Sequence, residues 1–267
     1  MQMRLSLRTR SVLLLATAVL VLRPAGLAAR GRADAGHVLV SAAASLTDAV
    51  TTIADEYERE TGARVTLNFG PSSGLARQIV NGAPVDLFLS ADEAQMNAVG
   101  KAGLLRSGTR VDLLSNQLVI VMPADRAHPI ASPRALTEAS VRRIALADPA
   151  AVPAGVYARE YLQALHLWPA IAPKVVPTLD VRAALAAVDS GNVDAAFVYR
   201  TDAAIAHHAV IVFRVPLAQG PRIVYPAAVV AGAPHPAAAL AFLAYLRGPK
   251  ARAVFDRFGF MVTGDAR

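Results

Sequence analysis

The 267-residue chain contains no cysteine. That excludes disulfides, thiolate metal sites, a cysteine nucleophile and a lipid-modified N-terminal cysteine. Aromatic residues are scarce at 6%, and the single tryptophan, Trp168, precedes Pro169 and reads as packing. Aromatics interleaved with a basic stripe, the pattern that nucleic-acid binding needs, do not occur. The sequence also lacks H-E-x-x-H, G-x-x-x-x-G-K-[ST] and G-x-G-x-x-G, so the zinc-protease, P-loop and dinucleotide signatures are all missing. His207 and His208 are adjacent rather than one helical turn apart and suit a solvated loop better than a metal site.

Charge of one sign looks abundant at first. Lys and Arg number 27 against 20 Asp and Glu, a formal +7. Residues 1–35, however, hold six arginines (Arg4, Arg8, Arg10, Arg23, Arg30, Arg32) and one acid, Asp34. The rest of the chain is left with 21 basic and 19 acidic residues, a net +2. The same N-terminal segment has a cationic start, an apolar stretch from Ser11 to Leu22 and small residues at Ala28, Ala29, Ala33 and Ala35. It reads as an export signal over 1–35, removed near Ala35, with a core too short to cross a bilayer of roughly 30 Å. A chain exported in this way is expected free in a periplasm or the medium. Tyr225 to Leu246 lacks Lys, Arg, Asp and Glu, but Pro226, Gly232, Pro234 and Pro236 break it into a buried strand, a turn and a buried helix.

From His37 onward, apolar runs alternate with amphipathic stretches. Strands are predicted at 37–42, around Val65, Leu67 and Phe69, and at 86–90, 117–122, 144–147, 174–176, 194–199, 209–215 and 223–230. Helices are predicted from the Val50, Ile53, Ala54 and Tyr57 spacing up to Gly62, and at 75–80, 92–100, 156–165, 181–188 and 236–247. This alternation means an α/β protein with largely parallel sheets, in one large domain or two lobes.

Ligands of such sheets bind where strands hand over to helices, because helix N-termini present free N–H groups there. Four turns qualify. Ala42-Ala43-Ala44-Ser45-Leu46-Thr47-Asp48 lets the backbone approach a ligand, and its Ser45 and Thr47 suit either a helix cap or a ligand donor. Gly70-Pro71-Ser72-Ser73-Gly74 fits the G-x-S-x-G elbow of a serine hydrolase with Ser72 as nucleophile, although it follows the second strand and no histidine stands in a recognisable setting. Its alternative reading is a loop whose hydroxyls donate to an anion. The turn from Asp148 to Tyr157 offers only backbone N–H groups, and Thr178-Leu179-Asp180-Val181-Arg182 opens a helix with an apolar stripe of Val181, Ala184, Leu185 and Val188. Tyr199 closes a strand and can offer a phenolic O–H or serve simply as a core residue.

Together these segments resemble the periplasmic molybdate-binding proteins of ABC transporters. The resemblance rests on Val38-Leu39-Val40-Ser41-Ala42-Ala43-Ala44-Ser45-Leu46-Thr47, Gly74-Leu75-Ala76-Arg77-Gln78-Ile79, and Gly82 through Asp92. It continues through Val152-Pro153-Ala154-Gly155-Val156-Tyr157, Asp180-Val181-Arg182-Ala183-Ala184-Leu185, Tyr225-Pro226-Ala227-Ala228-Val229-Val230 and Phe258-Gly259-Phe260. It implies a two-lobe, type II periplasmic-binding-protein fold, each lobe a mostly parallel sheet flanked by helices, with residues 36–116 plus 225–267 in one lobe and 117–224 in the other.

The resemblance further implies that Ser45, Ser72, Ala154, Val181 and Tyr199 bind a tetrahedral oxyanion, molybdate or tungstate, with no direct bond from protein to metal and no cofactor. Where the family often has a run of serines after Phe, this chain has Gly70-Pro71-Ser72-Ser73-Gly74, so Ser73 stays beside Ser72 as a candidate. The implied protein is a monomeric, non-catalytic receptor that hands its anion to a membrane permease with an ATPase subunit and binds no nucleic acid. The chemistry agrees, since a dianion without a proton is best met by donors alone, here hydroxyls and backbone N–H groups with helix dipoles behind them. Sulfate is also a bare dianion, so a receptor for another oxyanion is the nearest alternative, and cavity size has to decide between them.

Overall fold

Short apolar runs become strands and amphipathic stretches become helices throughout the computed structural model, which describes residues 36–262. The export segment expected over 1–35 lies outside the described residues. The described residues all belong to one compact unit. In chain order they form β1 (His37–Ala43), a 3₁₀ turn (Ala44–Leu46), α1 (Thr47–Thr61), β2 (Arg64–Gly70), α2 (Ser72–Val80), β3 (Leu87–Leu89), α3 (Glu93–Lys101), β4 (Val111–Ser115) and β5 (Leu118–Pro123). Next come β6 (Ile144–Ala147), α4 (Pro153–Ala164), α5 (Trp168–Ile171), β7 (Val175–Thr178), α6 (Val181–Asp189), β8 (Ala195–Tyr199), α7 (Arg200–Ala203) and β9 (Ala209–Arg214). The chain closes with β10 (Tyr225–Val229), α8 (Pro236–Leu246), α9 (Pro249–Arg257) and β11 (Met261–Val262).

The strands form two sheets, β11-β4-β10-β3-β1-β2 and β7-β6-β8-β5-β9, each flanked by helices. This is the two-lobe α/β arrangement that the resemblance implies. Within it the sheets are mixed rather than largely parallel. β1 runs parallel to β2 and β3, and β6 parallel to β7 and β8, whereas β10 is antiparallel to β3 and β4 and β5 is antiparallel to β8 and β9. The reason lies in the crossings. Strands that deliver turns to the cleft run toward it, while β5 and β10 begin where the chain enters a lobe and must run away from it. Register shows this directly: Leu118 at the start of β5 pairs with Tyr199 at the end of β8, and Tyr225 at the start of β10 pairs with Leu114 near the end of β4.

Local signals explain the helix ends. Val50, Ile53, Ala54 and Tyr57 form the buried stripe of α1. The helix stops at Gly62, which takes φ 72° and returns its N–H to the Glu58 carbonyl, a left-handed cap that glycine adopts without strain. Asp92 and Asp180 cap α3 and α6, accepting from the N–H groups of Gln95 and Ala183. The charge-free stretch after Tyr225 is the fully buried β10, a turn and the short α8. Among the described residues no helix is long and apolar enough to cross a membrane.

The starts of α2 and α4 come earlier than the pattern-based expectation. Ser72 and Ser73 sit in the first turn of α2 rather than in a loop, because Pro71 takes an extended conformation (φ −63°, ψ 131°) and starts the helix immediately after it. α4 likewise starts at Pro153, three residues before the expected point, with proline at its first position where a missing N–H costs nothing.

One contact ties the start of α4 to the sheet. A Cβ on Gly155 would lie 1.8 Å from the Ala147 carbonyl oxygen at the end of β6. Gly155→Ala must therefore push helix and strand apart, and we expect it to cost about 1–3 kcal/mol of stability, read by denaturant unfolding. A change below a few tenths of a kcal/mol would show that the approach is not tight.

Candidate functional site

Turns from both lobes converge on one small cavity. Its lining comprises the 3₁₀ turn after β1, the start of α2, Ala91 after β3, the start of α4, the start of α6 and Tyr199 at the end of β8. Each of Ser45, Ser72, Ala154, Val181 and Tyr199 contributes to it, and all five are almost fully buried. Ser73 faces elsewhere, in a second cleft beside Arg77 and Leu179. The cavity gives the centre of a water-sized sphere about 20 Å³, which suits a ligand of a few heavy atoms.

The donors are arranged one by one. Ser45 does not cap α1, and neither does Thr47, whose hydroxyl donates back to the Ala44 carbonyl at 2.7 Å. Instead Ser45 Oγ lies 3.1 Å from the Tyr225 phenolic oxygen. Ser72 Oγ accepts from the Ala91 N–H at 3.0 Å, so its own proton is free to be donated. Ala154 and Val181 are the second and first residues of α4 and α6, positions whose N–H groups have no acceptor inside the helix. Because the Asp180 side chain is turned to the Ala183 N–H, it satisfies a different donor and leaves that of Val181 open.

Tyr199 is the most telling of the five. Its phenolic oxygen is buried and makes no hydrogen bond among the described residues. Leaving a buried hydroxyl unpaired costs about 1–3 kcal/mol, so such a group in a cavity wall is suited to a ligand atom. Burial holds its ionisation well above the ordinary tyrosine range, with the neighbouring Tyr225 adding to the effect, so the group stays a proton donor at neutral pH.

Apart from Asp180, whose side chain accepts the Ala183 N–H, the charged residues surround the cavity without lining it. Arg182, just after Val181, reaches Asp202 at 2.6 Å and Asp48 at 2.7 Å. Asp202 is fully buried, and burial pushes its carboxyl up to about 6 against the pull of Arg182. Asp92 is buried behind Ala91, and burial raises it too. The Arg182–Asp48 pair joins α6 of one lobe to α1 of the other, as the Tyr157 hydroxyl does by donating to the Ala91 carbonyl at 3.4 Å. Apart from Tyr199, Ala91 is the one lining residue outside the four strand-to-helix turns, and Asp180 is the one acid in the lining. Ala91 brings no side-chain function, and its position two residues past a fully buried apolar run is the only sign of it in the sequence.

For a hydrolase, Ser72 would need a histidine base, and no histidine lines the cavity. Among the described residues no cluster of His, Asp and Glu is suited to a metal ion.

A two-lobe α/β fold with helix N-termini and hydroxyls meeting in the cleft defines a solute-binding protein. Residues 38–261 match the family described as bacterial extracellular solute-binding protein, and the chain belongs to that family. It is 41% identical over 234 residues to the molybdate-binding protein ModA of Escherichia coli, covering 86% of this chain and 91% of that protein. Against the molybdate-binding protein ModA of Haemophilus influenzae the figures are 35% over 232 residues, 85% and 91%. The solved periplasmic molybdate-binding protein of Azotobacter vinelandii superposes with a TM-score of 0.76 at 25% identity, covering 85% of this chain and all of the other.

The interlobe pair generates a prediction of its own. Because Asp48 is partly exposed, Asp48→Asn should weaken affinity for the cleft ligand only about two- to fivefold, and the difference should shrink as salt is raised. Calorimetric titration at low and high ionic strength measures it, and an unchanged affinity at low salt would mean the pair does not contribute to the closed form.

Proposed function

We propose that this protein captures molybdate, and tungstate on the same donors, in the cleft between its lobes and delivers it to an ABC-transporter permease driven by an ATPase subunit. The observation that carries the reading is the buried, unpartnered Tyr199 hydroxyl facing the same small cavity as Ser45, Ser72 and the first N–H groups of α4 and α6. The names borne by the relatives support it. Ser45, Ser72, Ala154, Val181 and Tyr199 are the proposed ligands, holding oxygen atoms with the metal enclosed among them and no bond from protein to metal. Residues 36–116 with 225–267 would form one lobe and 117–224 the other, closing as rigid bodies about the two crossings near Asn116 and Tyr225. The receptor acts in the periplasm as a monomer and catalyses nothing.

Charge-assisted hydrogen bonds are worth about 1.5–3 kcal/mol each, so a handful in a dry cleft supports roughly micromolar affinity or tighter after closure. Sulfate has the same charge and fewer ångströms of reach, so it should leave part of the donor set unfilled. Calorimetric titration with molybdate, tungstate, sulfate and phosphate tests this directly. We expect molybdate and tungstate to bind, with Ser45→Ala and Ser72→Ala each weakening them about tenfold or more. Sulfate binding without a molybdate signal would overturn the assignment, and unchanged affinity in both variants would mean the ligand sits elsewhere.

A further inference from the structure

Behind Ser45 stands a chain of hydrogen bonds whose other members do not line the cavity. Asn116 and Tyr225 are both buried and lie at the two points where the chain passes between the sheets. The Asn116 carbonyl oxygen accepts the Gln117 N–H at 2.8 Å, which fixes the orientation of the amide. Its nitrogen therefore faces the other way and donates twice, to Thr201 Oγ1 at 2.9 Å and to the Tyr225 phenolic oxygen at 3.3 Å. Tyr225 accepts that proton and has its own hydrogen to give, and Ser45 Oγ, 3.1 Å away, is the acceptor within reach. In that arrangement the Ser45 hydrogen is left for the cavity that Ser45 lines.

On the oxyanion reading of the cavity, we infer that Asn116 and Tyr225 are positioning residues that fix the direction of the Ser45 hydroxyl, holding it as a donor and so selecting oxyanions that carry no proton. Ser72 is held the same way by the Ala91 N–H, but there the partner is backbone and cannot be reversed by substitution. A ligand such as hydrogen phosphate needs at least one acceptor for its proton. With Ser45 and Ser72 both committed as donors, neither offers it one, while the unpartnered Tyr199 oxygen and the Asp180 carboxylate in the lining stay the same in every variant below. At Ser45 the direction of this chain favours a bare dianion over a protonated one.

The chain can be cut or reversed. Tyr225→Phe removes the proton given to Ser45 while keeping the ring, which packs against Tyr199 at 5.9 Å between centroids. Asn116→Asp replaces the donating amide by an acceptor of the same shape. The Tyr225 hydroxyl would then turn toward the new carboxylate, Ser45 would donate to Tyr225, and a lone pair of Ser45 would face the cavity.

The experiment is titration with molybdate and with inorganic phosphate at about pH 8, where both ligands are dianions and phosphate alone retains a proton. We expect Tyr225→Phe to weaken molybdate about tenfold in the wild-type background and to have no further effect in a Ser45→Ala background, because it acts through that hydroxyl. Asn116→Asp should move the molybdate-to-phosphate preference at least about tenfold toward phosphate, the added charge acting on both ligands alike. An equal loss from Tyr225→Phe in both backgrounds, or an unchanged preference in Asn116→Asp chains that melt cooperatively, would overturn the inference. If the unaltered chain takes up no molybdate at all, the proposed function itself fails. That result is separate from any effect of these variants.

Discussion

A small dianion with no proton to share is best held by a shell that only donates, yet a shell of lysines and arginines would hold every anion too firmly and too indiscriminately. Backbone N–H groups at helix starts, together with the Ser45 and Ser72 hydroxyls, whose oxygens are already engaged, and the Tyr199 hydroxyl, supply such donors without a positive charge. Most of the fold can be understood as the means of bringing such groups together. β1, β2, β3, β6, β7 and β8 all point their C-terminal ends at the cleft, so the 3₁₀ turn, α2, α4 and α6 begin there. β5 and β10 run the other way because the chain has to leave the cleft each time it enters a lobe. Mixed sheets follow from having one binding site between two lobes threaded by a single chain.

The charged groups nearby fit the same constraint. Arg182 follows directly after Val181, but its guanidinium is taken up by Asp202 and Asp48. The cavity thus gains the rigidity of a buried ion pair without a free positive charge. Breaking such a pair by removing one partner leaves an uncompensated charge, which is why Asp202 is better regarded as part of the frame than as part of the binding chemistry. Asp48 differs in being partly exposed and on the opposite lobe, so it contributes only where the lobes meet.

Much of this was legible in the sequence, for identifiable reasons. The turns after β1, β2, β6 and β7 stand out because small residues and serines interrupt strongly apolar runs, and α1 shows its period and its Gly62 stop plainly. Strand direction was not legible: a buried antiparallel strand such as β5 has the same unbroken apolar run, Leu118 to Met122, as a parallel one. β4 was hidden because Asp112 breaks its pattern, and β11 because two residues carry no period. The start of α2 is hidden because Pro-Ser-Ser-Gly has loop composition, whereas in the fold Pro71 opens the helix and Ser72 and Ser73 are both buried in its first turn. α9 was readable from Ala251, Val254 and Phe255 behind Pro249 but falls outside the strand-helix alternation. The least legible feature is the Asn116–Tyr225–Ser45 chain, whose members are 109 and 180 residues apart and meet only because both crossings lie beside the first turn.

The central claim is that one tetrahedral oxyanion sits among five donors drawn from both lobes. The most direct measurement is anomalous diffraction at the molybdenum edge from crystals grown with molybdate. The account predicts a single strong peak in the cleft, with oxygen atoms within hydrogen-bonding distance of Ser45 Oγ, Ser72 Oγ, the Tyr199 phenolic oxygen and the backbone nitrogens of Ala154 and Val181. A peak on the outer surface of either lobe, or a cleft ligand that leaves the Tyr199 hydroxyl unpaired, would contradict it.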